Sequence, residues 1–308
     1  MEFLRLLEKI RNPVFDFIFS LLTKLGEETV FMAVAIIVFW CFSKKDGYYI
    51  LSVGFIGTIL NQLLKLCFRI PRPWIKDPNF TIVESARAEA TGYSFPSGHT
   101  QSSVGTFGSI AYIFKQKWLR ITAIVICVRV PFSRMYLGVH TPLDVVVSIA
   151  VAIALIFLIK PIFDKGEENP KIMYIFFGGM LTLAIAFLFF VLFFPFPADL
   201  DPHNYESGLK NACTLLGATA GFMIAYPIER KYIKFEVEAK WYVQIIKIAV
   251  GLGLVIAIKV LLKPILLLFL PPMVERAIRY AVIVLFAALV WPLTFKHLRK
   301  LENIKKSK

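Results

Sequence analysis

The stretch "HTPLDVVVSIAVAIALIFLIKPIF", His140 to Phe163, settles the kind of fold open to this chain. Thr141 followed by Pro142 is an N-cap and first-turn signature, so a helix starts just after His140. Nothing between Val145 and Ile159 is charged, and the run supplies the roughly 20 residues a helix needs to cross a hydrocarbon core. Asp144 stands in the first turn, four residues beyond His140 and within reach of the imidazole. A carboxylate so placed fixes the ring's tautomer and stabilises positive charge on it.

The apolar theme repeats along the chain. Of 308 residues, 57% are hydrophobic and 29 are phenylalanine; the mean hydropathy is +0.68, well beyond an ordinary soluble domain. Nine spans are expected, at about 27–43, 47–67, 98–115, 118–134, 142–163, 171–195, 207–227, 241–263 and 275–296. The expected fold class is therefore all-α, a polytopic transmembrane helical bundle. Residues 1–26 alternate charge with Phe and Leu ("FLRLLEKIRNPVFDFIFSLLTKLG", Phe3 to Gly26). They read as an amphipathic interfacial segment without a signal peptide's cleavage pattern. Residues 27–163 hold the first five spans, and 164–308 form a four-span extension with a basic tail.

Cys41, Cys67, Cys127 and Cys213 fall in or at the ends of apolar spans with no C-x-x-C spacing, which marks them as packing residues. The net charge of +14 is scattered through loops without aromatic interleaving, so no nucleic-acid partner is expected. Topology explains the charge better. With nine spans one face receives Lys44 and Lys45, the 115–120 and 160–171 basic groups, Arg230, Lys231, Lys234, Lys240 and the tail from Lys296, and that face should be cytoplasmic. "PFPADLDPHNYESG", Pro195 to Gly208, brings Asp199, Asp201 and Glu206 to the other face with no Lys or Arg. Arg5, Lys9, Arg11 and Lys24 oppose this assignment by sitting on that same outer face. The expected arrangement is N-terminus out and C-terminus in, in the plasma membrane, with the endoplasmic reticulum as the alternative.

Three polar clusters fall on the outer face. In "KLCFRIPRPW", Lys65, Arg69 and Arg72 share one side if the helix continues that far, while Pro71 and Pro73 end it and force Arg72 into extended geometry. Lys65 or Arg69 alone could be a snorkelling anchor. In "YSFPSGHTQSS", Tyr93 to Ser103, Ser97 is a good N-cap and Gly98 removes bulk, so the free N–H groups of the next helix face outward toward an anion, with His99 in the first turn. Alone, this could be no more than a capped helix start. "PFSRMYLGVHTPLDVV" adds Ser133, Arg134, His140 and Asp144, though His140 alone could be a loop histidine beside a capping carboxylate. Together the clusters describe an oxyanion site with a nucleophile and an acid.

Read as K-x6-R-P, P-S-G-H and S-R-x5-H-x3-D, these segments resemble the three-part signature of the type 2 phosphatidic acid phosphatases and vanadium haloperoxidases, and every signature position is present between Lys65 and Asp144. The resemblance implies that Lys65, Arg72, Ser97, Gly98 and Arg134 hold phosphate oxygens. It implies that His140 attacks phosphorus to form a phosphohistidine, that Asp144 orients it, and that His99 protonates the leaving oxygen and later activates water. No metal or other cofactor is expected, because the Lys/Arg cradle supplies the positive charge and His203 and His297 lie on opposite expected faces. The nine-span layout and "ESGLKNACTLLGATAGFMIAYPIERKY", Glu206 to Tyr232, look like the membrane branch that includes glucose 6-phosphatase and several bacterial lipid phosphatases.

The expected function is an integral membrane phosphatase for lipid phosphates or diphosphates such as undecaprenyl diphosphate, with membrane lipids as its partners; the sequence does not fix an oligomeric state. A soluble sugar phosphate is the alternative substrate, and a haloperoxidase, a transporter or a non-catalytic lipid-binding protein are further readings. Transporters place broken helices and charges at mid-membrane, whereas here the charges sit at helix ends. "NFT" at Asn79 to Thr81 has the form of a glycosylation sequon on the outer face and the terminal "KKSK" that of a dilysine signal, though a chance tripeptide and a basic cytoplasmic tail are the plainer readings.

Overall fold

In the computed structural model, residues 1–197 and 200–304 are described, with side chains as far as Lys300. Asp199 and the terminal "KKSK" lie outside the described residues. Fourteen α-helices follow one another: α1 (Glu2–Lys9), α2 (Pro13–Thr23), α3 (Glu28–Cys41), α4 (Lys44–Phe68), α5 (Pro73–Lys76), α6 (Gly98–Ile113), α7 (Lys117–Tyr136), α8 (Pro142–Glu168), α9 (Pro170–Phe193), α10 (Pro202–Ile228), α11 (Trp241–Leu267), α12 (Pro272–Leu285), α13 (Trp291–Leu293) and α14 (Phe295–Ile304). There is no strand among the described residues. In hydrocarbon a helix satisfies its own backbone polar groups, and this all-α membrane bundle meets that condition.

Among the described residues six segments are long and apolar enough to cross a membrane, where nine were expected: Lys44–Lys76, Pro142–Glu168, Pro170–Phe193, Pro202–Ile233, Trp241–Leu267 and Pro272–Lys300. The other three expected spans form helices of a different character. α3 has 14 residues, about 21 Å of rise and short of a full crossing. α6 has 16 residues, and Thr100, Gln101, Ser103, Thr106 and Ser109 are all buried along it; because protein surrounds it, its side chains need not be apolar. α7 carries Lys117, Arg120, Arg129 and Arg134 within its 20 residues, which lowers its hydropathy.

The chain folds as two compact units interleaved in sequence: Met1–Val34, Tyr49–Pro161 and Pro195–Gly208 form the first, and Ala35–Tyr48, Ile162–Phe194 and Leu209–Lys308 the second. In the first unit α6 packs against α7, and α2 lies along α7. Gly105 and Gly108 bring α6 close to Val53 of α4 and Ile156 of α8. Small residues at helix contacts are the usual device in lipid, where dispersion rather than water exclusion drives association. Leu143, Val146, Ile153, Phe157 and Leu158 of α8 are exposed, an outward face suited to lipid. The amphipathic α1 turns Leu4 and Leu7 inward.

The second unit is held by an aromatic cluster in which Tyr48, Phe177, Phe222 and Tyr226 meet at ring-centroid distances of 4.9 to 5.9 Å. Trp40 donates to the Ala287 carbonyl at 2.8 Å. At one end Lys44 pairs with buried Glu229 at 2.6 Å, and Lys45 reaches Asp164 at 3.1 Å and Glu167 at 2.6 Å. Lys44, Lys45, Glu167 and Glu229 border a cavity of about 290 Å³ also lined by Arg230 and Lys234.

Among the glycines of this unit the tightest fit lies at Gly217, where an added Cβ would stand 1.9 Å from the Ala277 carbonyl oxygen. Gly217→Ala is therefore expected to push α10 from α12, at an overpacking cost of about 1–3 kcal/mol, and to lower the thermal midpoint in detergent. Gly253→Ala, where nothing lies within 4 Å, should leave that midpoint unchanged.

Candidate active site

The site lies wholly in the first unit, where the C-terminal ends of α4 and α7 meet the N-terminal ends of α6 and α8. Lys65 occupies the last turn of α4, is buried, and donates from Nζ to the Tyr93 carbonyl. The helix stops at Phe68, so Arg69 does not continue the helical side expected of it. It adopts a left-handed conformation, φ +49°, and redirects the chain into Pro71. The two prolines then act as expected: Pro73 starts α5, and Arg72 is extended at φ −64°, ψ 155°.

Arg72 is buried, and backbone carbonyls hold it on three sides. Nε donates to Gly92 O at 3.1 Å, Nη2 to Thr91 O at 2.7 Å, and Nη1 to Val139 O at 2.9 Å. Nη1 also stands 3.0 Å from His140 Nε2. Gly92 has φ +69°, a conformation glycine adopts without a Cβ clash, and its carbonyl serves the guanidinium.

His140 sits in the turn between α7 and α8. Its Nδ1 lies 3.5 Å from Asp144 Oδ2, and the same oxygen accepts from Thr141 N at 2.8 Å and Ser94 Oγ at 2.6 Å. Asp144 N in turn donates to Thr141 Oγ1 at 3.4 Å, so the carboxylate is locked by a reciprocal helix cap. An arginine can only donate, so its contact with Nε2 leaves the ring hydrogen on Nδ1, toward Asp144, and the lone pair on Nε2. Burial, reinforced by the Arg72 guanidinium, holds the His140 ring well below the ordinary imidazole range, and Asp144 pulls the other way.

Ser97 caps α6 as expected, its Oγ accepting from Thr100 N at 3.4 Å. Its own N–H donates to Asp144 O at 3.1 Å, which joins the start of α6 to the start of α8. Gly98 faces Asn61, whose Oδ1 would be 3.8 Å from an added Cβ. Arg134 is fully buried and donates from Nη1 to Thr23 Oγ1 at 2.8 Å; its Nε and Nη2 have no protein partner. His99 Nε2 and both polar atoms of Asn61 share that condition. Buried polar groups are almost always paired, so this set of orphaned groups suits a polar guest. Lys65, Arg72 and Arg134 all act electrostatically on both His99 and His140, an arrangement suited to an oxyanion and hostile to a cation. Beside Arg72 opens a cavity of about 560 Å³ lined also by Arg69, Trp74, Tyr93 and His203.

The eight sequence-selected residues thus come together in one unit. Ser94, Asn61 and Thr23 were not singled out. Ser94 was discoverable, lying two residues before the P-S-G-H segment as a hydroxyl three residues ahead of the cap. Nothing local marks Thr23, which meets its arginine across 111 residues of chain.

Residues 46–167 match the PAP2 superfamily, and residues 213–303 match a family described as PAP2 superfamily phosphatase, transmembrane extension. A probable sphingosine-1-phosphate phosphatase of Dictyostelium discoideum is 32% identical over 235 residues, covering 71% of this chain and 55% of that protein, so the chain spans about half the length of that relative. An undecaprenyl-diphosphatase of Bacillus subtilis is 32% identical over 151 residues, covering 48% of this chain and 74% of that protein. A phosphatidylglycerophosphatase B of the same organism is 29% identical, covering 51% and 79% respectively.

The environment of His140 has a direct spectroscopic consequence. A depressed folded-state pKa means that the ring takes up its proton only as pH falls below the usual histidine range near 6.5. In ¹³C-histidine-labelled protein, with the resonance assigned by its absence in His140→Asn, His140 should remain neutral at pH 6; a midpoint at or above 6.5 would contradict the described surroundings.

Proposed function

The chain belongs to the PAP2 superfamily, and from that premise we propose that it is an integral membrane enzyme that hydrolyses lipid phosphates or diphosphates through a covalent phosphohistidine, without a metal. The observation that carries this reading is the posture of His140: Asp144 at one nitrogen, a cation at the other, and the lone pair on Nε2 directed into the cationic cradle.

In the proposed reaction the substrate's terminal phosphate enters among Lys65, Arg72, Arg134 and the N-terminus of α6 at Ser97 and Gly98. Its oxygens take up the free Nε and Nη2 edge of Arg134 as a paired fork. His140 Nε2 attacks phosphorus, the bond to the lipid oxygen breaks, and His99 gives that oxygen its proton. Water then attacks the phosphohistidine as His99 removes a proton, the P–N bond breaks, and inorganic phosphate leaves. Asp144 holds the ring through both steps and offsets its transient positive charge. Charge on the phosphoryl oxygens is met throughout by fixed donors.

A lipid substrate is favoured by location and by kinship. The site sits where membrane helices begin and end, so a phosphorylated headgroup can enter while its tail stays in the bilayer, and the relatives' names specify a sphingosine phosphate, an undecaprenyl diphosphate and a phosphatidylglycerophosphate. We place the site on the extracytoplasmic side of the plasma membrane with the C-terminus inside. Convergence of Lys44, Lys45, Arg230 and Lys234 around one cavity supports the basic-inside assignment. In this reading 27–163 does the chemistry, 164–308 is a membrane extension, and the apolar edge of 1–26 rests at the interface.

The test is phosphate release by the detergent-solubilised protein, with chelator present, from phosphatidate, undecaprenyl diphosphate, sphingoid phosphate and glucose 6-phosphate. At least one lipid should be hydrolysed, and His140→Ala should lose at least about a thousandfold, the scale expected on removing a nucleophile. Turnover of the sugar ester alone would overturn the lipid assignment, and an active His140→Ala would overturn the mechanism.

A further inference from the structure

Three contacts tie the N-terminal helices to separate parts of the site. The first is at Arg134, whose Nη1 donates to Thr23 Oγ1 at the end of α2. The second is at His99: in the turn after α2, an added Cβ on Gly26 would lie 2.8 Å from His99 O and 3.0 Å from His99 Cβ, so that turn presses against the backbone bearing the proposed acid. The third is at the loop leading to His140. Arg11 Nε donates to Tyr136 O at 2.9 Å, and Gly138, with φ +82°, would carry a Cβ 2.6 Å from Arg11 Nη2.

Local chemistry holds this arrangement in place. Asn12 Oδ1 caps α2 by accepting from Val14 N and Phe15 N at 3.1 and 3.0 Å, and Pro13 occupies its first position. Phe19 packs on Tyr136 with ring centroids 4.3 Å apart, and the Tyr136 hydroxyl donates to Asp16 Oδ1 at 2.9 Å. A segment that only floated on the bilayer would need none of these bonds.

We propose that the N-terminal helical pair is part of the catalytic machinery, with Thr23 as the positioning residue that sets the rotation of the Arg134 guanidinium. A guanidinium presents its Nε and Nη2 hydrogens side by side along one edge, and Nη1 lies at the far corner. Thr23 fixes that far corner. The Nε and Nη2 hydrogens, which have no protein partner, are thereby left as a preset fork for two oxygens of a phosphoryl group. Deleting the hydroxyl frees the fork to rotate without altering its charge. This inference rests on the phosphatase reading for the identity of the guest, while the Thr23 contact itself is geometric.

The experiment compares Thr23→Val with Thr23→Ser in the full-length protein, alone and in Arg134→Ala, by lipid phosphate turnover and by direct binding of orthovanadate as a phosphoryl mimic. Thr23→Val should lower kcat and weaken vanadate binding about tenfold each, the scale of one hydrogen bond to a charged group. Thr23→Ser should stay within about twofold of wild type, and Thr23→Val should cost nothing further once Arg134 is gone. Thr23→Ser falling as far as Thr23→Val, unchanged vanadate binding in Thr23→Val, or a full loss persisting in Arg134→Ala would each overturn the positioning role. A wild type that binds vanadate yet hydrolyses no lipid would overturn the phosphatase reading instead, and the vanadate constants would then decide the role of Thr23.

Discussion

Three buried cations with a single buried carboxylate among them are what the first unit is built around. Lys65, Arg72 and Arg134 each expose 5% or less of their surface, and withdrawing an ion from water costs several kcal/mol even after relaxation. Asp144 cannot balance all three. For Lys65 and Arg72 the compensation comes from backbone carbonyls, those of Thr91, Gly92, Tyr93 and Val139, aimed at them from two loops, while Arg134 has only the Thr23 hydroxyl. Those loops must therefore be irregular, since a carbonyl inside a helix is already committed to its own ladder. The left-handed Gly92 and the prolines around Arg72 are means to that end. The residual deficit is left for a guest with negative oxygens, and a site organised this way exchanges some folding stability for affinity.

The second unit shows a different economy. Its interior is aromatic and tightly fitted, with glycines 217, 221 and 251 each allowing a neighbouring helix or ring to approach where a methyl group would not fit. At one end Lys44 and Lys45 find Glu229, Asp164 and Glu167, and within α12 buried Arg279 pairs with Glu275. These cations are paired with side-chain anions, in contrast to the carbonyl-stabilised Lys65 and Arg72 of the first unit. Paired charges make a stable anchor, while unpaired ones make a receptive site.

How much of this was legible depended on whether the determining contact was local. The cap at Thr141, the extended Arg72 between two prolines and the capped start at Ser97 each follow from residues two to four apart, and each appears as read. The spacing of Lys65, Arg72, Arg134 and His140 was legible because helix ends hold them at fixed offsets. The count of membrane spans was not, because α6 is enclosed by protein and α7 carries charge; hydropathy reports what faces lipid, and these helices are judged by other neighbours. Arg69 leaves the helix for a left-handed turn that no periodicity announces. The Thr23–Arg134 and Ser94–Asp144 bonds join residues 111 and 50 apart, and no pattern of neighbours in the chain encodes such meetings.

One consequence follows from the hydrogen-bond donor that Arg72 holds against His140 Nε2. With that lone pair engaged, the imidazole is, in the proposed mechanism, a masked nucleophile at rest. Only a ligand able to take over the Arg72 donor unmasks it, and a tetrahedral anion does so with the same oxygens that bring phosphorus into line. In the proposed mechanism recognition and activation are then a single event, with chemical selectivity stored in the prior engagement of one guanidinium N–H.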